Sequence, residues 1–221
     1  MLGDILIIRE MHKAAAEAIA KRVIQERDKL HKGYKFIVGI SGESGAGKSE
    51  VSHSLARRLK SERIRVKVLH ADDYYKVPPL LRTEWRRVQG IETVGMQEYD
   101  WNLIQRNIQD FKEDRESMMP CIDIIPEQVD KLITDFKKID LLVVDGLYAL
   151  KADGLDMRVF IDLDYHETKI SQIQRGKENL DDFRLAVLEK EHQNVLSLKP
   201  LADLIIDKNY QVIDPRTGEF V

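Results

Sequence analysis

A single cysteine, Cys121, is present in 221 residues, which excludes an internal disulfide and any cysteine-rich metal site and leaves packing as its expected role. The six histidines form no i, i+4 pair and no His-x-Glu signature, so a structural zinc site has no support either. Long apolar runs are missing: no stretch approaches the length that spans a bilayer. The start of the chain sets Asp4, Arg9 and Glu10 around the short apolar patch Ile5 to Ile8, which is not the basic, apolar, small-residue order of a signal peptide. A basic excess is also lacking, since the formal charge is -3, and a nucleic-acid surface needs strong positive charge. The expectation is a cytoplasmic globular protein with neither a membrane nor a nucleic acid as partner.

What is present begins with glycine. Residues 42 to 49 read Gly42-Glu43-Ser44-Gly45-Ala46-Gly47-Lys48-Ser49, a complete phosphate-binding loop of the form G-x-x-x-x-G-K-[ST]. The β-branched run Phe36, Ile37, Val38, Ile40 precedes it, and Val51, Leu55 and Leu59 follow at helical spacing, so the motif joins a buried strand to a helix N-terminus. Glycines let the loop bend around a phosphate, and the helix start, Glu50 included, adds unpaired amides and the positive end of its dipole. Lys48 is expected to reach the β- and γ-phosphates and Ser49 to coordinate Mg²⁺ brought in with ATP.

Along the rest of the chain, Arg9 to Leu30 reads as a helix with Met11, Ala15, Ala18, Ile19 and Val23 near one face, stopped by His31-Lys32-Gly33. It is either an added helix packed on the domain or a contact for a homodimer. Strands are expected at Arg65 to Leu69, Ile139 to Val144, Met157 to Leu163 and Ala202 to Ile206, with an edge strand at Tyr210 to Ile213. A helix is expected over Trp101 to Lys112. The segment from Pro78 to Tyr99 has no clear period and reads as a mobile loop with one short helix. Pro120 to Ile125 reads as extended, and Pro126 as the first turn of a helix running to about Lys137. Glu167 to Val195 reads as mostly helical and polar. Strands alternating with helices imply an α/β fold: a doubly wound parallel sheet of P-loop NTPase type with helices on both faces, ligands binding beyond the strands' C-terminal ends. The expected layout is an N-terminal helical extension over 1–33 and one domain over 34–221, with a helical lid at about 166–195.

Two carboxylate positions complete the chemistry. Asp145 closes the aliphatic run Leu141 to Val144, placing an acid at the end of a buried strand, where P-loop proteins hold the Mg²⁺ shell opposite the loop's Ser or Thr. Asp72 and Asp73 follow the second strand, so one or both should enter the same crevice. Phosphoryl transfer asks mainly for positioning and charge neutralisation, with a carboxylate to accept the acceptor's proton.

Gly39-Ile40-Ser41-Gly42 leading into the loop, Asp72-Asp73-Tyr74-Tyr75 after the second strand, Tyr99-Asp100-Trp101 opening a helix, Val144-Asp145-Gly146 and Leu201 to Ile206 together resemble the uridine kinase and phosphoribulokinase-like family of P-loop kinases over about residues 35 to 207. The resemblance implies that Asp72 is the base and binds the acceptor, that Tyr75 lines the acceptor site, that Asp100 lies near the sugar, and that the lid brings arginines to the phosphates. The lid offers Gln174-Arg175-Gly176-Lys177; Arg175 is the expected phosphate contact, because a guanidinium fork can meet two oxygens at once. The chain departs from the family where uridine kinases present Tyr-Asp-Phe and then a histidine for the pyrimidine. Here Pro120 precedes Cys121-Ile122-Asp123-Ile124, and Glu127 takes the histidine's place. Ile122 cannot hydrogen-bond to a base, so uridine is not the expected acceptor. Lys76, Arg82, Arg86 and Arg87 could receive a phosphorylated sugar or form a solvated basic loop. The sequence thus reads as an ATP-dependent kinase acting on a hydroxyl of a nucleoside or sugar derivative; the competing reading is a nucleotide-dependent regulatory protein without acceptor chemistry.

Overall fold

The computed structural model describes residues 5–126, 128–168 and 181–221. Strand β1 (Phe36–Gly42) is buried along its whole length, as a β-branched run covered on both faces should be. It lies between β5 (Leu141–Asp145) and β6 (Met157–Ile161). The sheet order is β2-β5-β1-β6-β7-β8, with β2 Val66–His70, β7 Leu204–Ile206 and β8 Val212–Ile213. All pairs are parallel except β7 with β8.

Side chains alternate across this sheet and divide the core into two layers. Phe36, Val38, Ile40, Leu141 and Val143 face α1 (Glu10–Asp28) and α2 (Lys48–Ser61). Ile37, Leu142 and Val144 face α4 (Trp101–Lys112) and the end of α5 (Asp182–Leu196). Helix α1 buries Ala15, Ala16, Ile19, Ala20 and Val23 in the same cluster as Val51, Leu55 and Leu59 of α2; its alanines let the two helices approach closely. Met11, expected on that face, is exposed.

Two segments differ from the sequence reading. Where a helix is expected after Pro126, Gln128–Asp135 is a strand: β3 (Glu116–Asp123) and β4 (Gln128–Asp135) pair antiparallel as a separate hairpin, with Asp123 opposite Gln128 and Glu116 opposite Asp135. Val129, Leu132, Ile133 and Phe136 have helical spacing, yet the first three are exposed on the strand. Pairing with β3, which buries Ser117, Met119 and Cys121, decides the conformation. The segment after Pro78 contains a full helix, α3 (Pro79–Gln89), with Pro79 in the first turn where its missing N–H costs nothing.

The C-terminal edge is tied back to α1 through Asp214, which accepts Arg22 Nη2 at 3.1 Å and Arg216 Nε at 3.1 Å. The Arg216 hydrogen bonds are the main cause that lowers the Asp214 pKa to about 2. A folded pKa below the unfolded one gives stability that is complete above the ordinary carboxylate range and is lost as pH falls through about 2. Asp214→Asn should therefore lower the thermal midpoint at neutral pH by roughly 2–4 °C for a partly solvent-screened network. The difference from the parent should shrink steadily in melts run toward the acid limit; a constant offset would deny the ion pairs this role.

Candidate active site

The phosphate loop leaves the C-terminal end of β1 and enters α2, with Gly45 and Gly47 both left-handed at φ 80° and 79°, a conformation strained for residues carrying a Cβ. Lys48 folds back over the loop and its Nζ donates to the Glu43 carbonyl at 2.8 Å. The same carbonyl accepts the Ala46 N–H at 3.1 Å, so the turn closes on itself. Ser49 is half-buried beside it in the first turn of α2.

Both ends of the chain press on the back of this loop. Tyr210 Oη donates to the Ala46 carbonyl at 2.8 Å, and the His12 ring meets the Tyr210 ring edge-on at 5.0 Å. A Cβ on Gly47 would stand 2.5 Å from Tyr210 Oη and 3.0 Å from His12 Nε2. Gly47→Ala thus adds a clash to a left-handed φ, and we expect the KM for MgATP to rise at least about tenfold, given ~1–2 kcal/mol for the backbone alone. Unchanged nucleotide affinity in a folded Gly47→Ala protein would show that this loop does not carry the phosphates.

The loop is also held from the α5 side. Glu43 is buried and its Oε1 accepts a hydrogen bond from His192 Nδ1 at 2.5 Å. Burial pushes the Glu43 carboxyl up, with His192 partly offsetting it; burial pulls the His192 imidazole down, and Glu43 more than reverses that. Thr168 Oγ1 donates to the Ser44 carbonyl at 2.9 Å. Glu50 is enclosed in the first turn of α2 and accepts the Ile7 N–H at 3.4 Å.

Parallel register brings the acids to the same edge. Asp145 ends β5 level with Ile40 of β1 and His70 of β2, next to the loop. Its Oδ1 accepts a hydrogen bond from His70 Nδ1 at 2.7 Å. Its Oδ2 is enclosed without a well-directed hydrogen bond. Burial raises the Asp145 pKa, but the His70 charge and hydrogen bond, with Ser52 and Lys48 nearby, outweigh it and hold the carboxyl below its usual value. The Asp145 charge in turn raises His70. The retained charge and unfilled carboxylate oxygen of Asp145, and the Ser49 hydroxyl in the first turn of α2, are oxygen donors of the kind that suits Mg²⁺, which keeps several waters and few protein ligands.

Beyond β2 the short 3-10 turn Ala71–Tyr74 splits the Asp-Asp-Tyr-Tyr run by direction. Asp72 Oδ1 accepts the Tyr99 hydroxyl at 3.2 Å, and Tyr75 stacks on Tyr99 with centroids 4.0 Å apart. Asp73 and Tyr74 serve packing instead: Asp73 accepts the Ile122 N–H at 3.1 Å, and Tyr74 Oη donates to Asn107 at 2.7 Å. Burial raises the Asp73 pKa. Asp100 caps α4 by accepting the Leu103 N–H at 3.0 Å. The Ile122 side chain is enclosed at 4% exposure. A cavity of about 200 Å³ between β2 and the hairpin is lined by Lys67, His70, Asp73, Tyr74, Met119 and Cys121, among others. Arg175 and Glu127 lie outside the described residues.

The sequence reading missed His70, Tyr99 and His192 as neighbours of the site. His70 had a signal, since it closes a strand two residues before Asp72. His192 had none, being 149 positions from Glu43.

The phosphoribulokinase / uridine kinase family model matches residues 37–188. The uridine kinase of Staphylococcus aureus (strain JH9) is 26% identical over 182 residues, covering 77% of this chain and 86% of the relative. Among solved structures, a possible uridine kinase from Bacillus stearothermophilus superposes with a TM-score of 0.61 at 18% identity, covering 87% of this chain and 97% of that one. Phosphoribulokinase from Rhodobacter spheroides gives 0.62 at 13% identity, covering 80% and 71%. With its phosphate loop and strand-end acids falling inside the matched stretch, the chain belongs to the phosphoribulokinase / uridine kinase family.

Proposed function

We propose that the protein transfers the γ-phosphoryl group of ATP to a hydroxyl of a small metabolite. The observation that carries this reading is the placement of Asp72 at the end of β2, one strand-end away from Asp145 and two from the phosphate loop on the same edge of the sheet. Lys48 would meet the β- and γ-phosphates once it leaves the Glu43 carbonyl. Ser49 and Asp145 would hold Mg²⁺, which supplies charge neutralisation on the phosphates when bound. Asp72 would accept the proton of the attacking hydroxyl as the acceptor oxygen bonds to the γ-phosphorus and the bond to the β,γ-bridging oxygen breaks, releasing ADP. Arg175 is proposed to close over the transferred group, and Tyr75 and Asp100 to border the acceptor.

Uridine is disfavoured as that acceptor. The Ile122 side chain is enclosed and offers no hydrogen bond, and its N–H donates to Asp73. A site without polar partners for a base selects weakly for it. The test is coupled ADP release with MgATP across nucleosides, ribosyl-pyridines, pentoses and phosphopentoses. Stimulation by one class is the expected result; ATP binding with no stimulation by any class would overturn the kinase reading in favour of a regulatory one.

A further inference from the structure

Four cations follow Asp72 in sequence, and the structure treats them unequally. Lys76 Nζ donates to the Gln97 carbonyl at 2.8 Å. Arg87 Nη2 pairs with Asp181 at 2.5 Å, and its guanidinium covers the Phe183 ring. Arg86 is buried, with Nε and Nη2 on the two Glu98 oxygens at 2.7 and 2.9 Å and Nη2 also on Glu191 at 3.1 Å. Arg184 Nη1 stands 3.7 Å from the other Glu191 oxygen, so these two acids are matched by two arginines.

Arg82 is the exception. Its guanidinium carbon lies 3.3 Å from the centroid of the Tyr75 ring, and its Nε makes only a long contact of 3.3 Å to the Val77 carbonyl. Nη2 is enclosed and has no acceptor. An enclosed charged donor without a partner is unfavourable in a folded protein and calls for an explanation, such as a water, an ion or a ligand group that fills it. The ring beneath it leads straight to the reaction centre: Tyr75 stacks on Tyr99 at 4.0 Å, and Tyr99 donates to Asp72 at 3.2 Å. The guanidinium is therefore held over an aromatic shelf that runs through Tyr99 to the candidate base, with its Nη2 unfilled.

We infer that the phosphate acceptor is an anion, a hydroxylated metabolite whose carboxylate or phosphate group is bound by the fork of Arg82 while its hydroxyl faces Asp72. The inference rests on the kinase reading above and narrows it. A planar fork suits either oxyanion, since both offer two oxygens at the spacing of the guanidinium donors. An uncharged nucleoside would leave Nη2 as it is, whereas an anionic acceptor gives it a partner, and that difference sets the selectivity.

The test uses matched pairs of acceptors with the full chain: ribose 5-phosphate against ribose, and glycerate against glycerol, with uridine as the uncharged nucleoside. One anionic member should exceed its uncharged counterpart in kcat/KM by about 100-fold or more, and the pair that responds tells phosphate from carboxylate. Arg82→Gln should raise the KM for that acceptor about 30-fold or more. Its kcat, KM for ATP and thermal midpoint should stay near the parent's, and Arg82→Lys should recover part of the loss. Equal turnover of charged and uncharged members would overturn the inference and leave the kinase reading standing. So would a fall in kcat with Arg82→Gln that is the same for every acceptor, which would place Arg82 on the transferred group instead. A parent protein silent toward all five compounds but able to turn over another uncharged alcohol would also refute it. Silence toward every acceptor, with ATP still bound, would remove both readings together.

Discussion

Asp72→Asn is expected to bind MgATP as the parent does and to turn over about 10²–10⁴ times more slowly, the range for loss of a positioned general base. The substitution keeps the shape of the side chain and still offers an oxygen to the Tyr99 hydroxyl, now 3.2 Å from Asp72 Oδ1, so the aromatic stack should survive. What disappears is the negative charge and the capacity to take a proton. Asp73 is the internal control. Its carboxylate accepts the Ile122 N–H and anchors the hairpin, a task an asparagine oxygen can perform, so Asp73→Asn should lose little turnover. Single-turnover measurements separate the chemical step from ADP release. If the two variants exchanged behaviour, or if Asp72→Asn matched the parent, Asp72 would have no part in proton transfer.

Arg86→Met should produce the largest loss of stability. Arg86 bridges Glu98 and Glu191 with all three side chains at 7% exposure or less, joining α3 to α5 and to the turn before α4. Burial pulls the Arg86 pKa down, but the Glu98 hydrogen bonds and the Glu191 charge more than reverse this. Removing the cation leaves the enclosed Glu98 without its arginine partner and Glu191 with the longer Arg184 contact at 3.7 Å, and breaking a buried pair in this way costs about 3–5 kcal/mol. For a chain of this size the thermal midpoint should fall on the order of 10 °C. Circular dichroism melts of parent and variant measure it; a fall of about 2 °C or less would show that the triad is structurally idle.

Much of this arrangement could be read in advance because the signals were local. A β-branched run, then Gly42 to Ser49, then helical spacing places the phosphate loop with no tertiary knowledge. Asp145 after four aliphatic residues is as legible. The hairpin was not, because Pro126 suits a helix start, Val129, Leu132 and Ile133 happen to lie on one helical face, and nothing within residues 126 to 137 reveals that they pair with the stretch just upstream. Helix α3 was anticipated only as one short helix without bounds, for the opposite reason. Leu80, Leu81 and Val88 are exposed, and the one buried residue of the helix is Arg86, so hydrophobic periodicity could not find an element held by charge. Pairings such as His70 with Asp145 emerge only when parallel register sets two strand ends side by side.

The contacts of His12 and Tyr210 on the loop bear on where this enzyme could be shortened. A version trimmed to residues 37–188, the stretch that matches the family, would keep every proposed catalytic group and still lose both supports of the Ala46 and Gly47 backbone. Drift in either terminal segment would then register as a change in nucleotide affinity, through residues that are themselves no part of the phosphate loop but lie against its back, so these flanking segments and the loop are constrained to vary together.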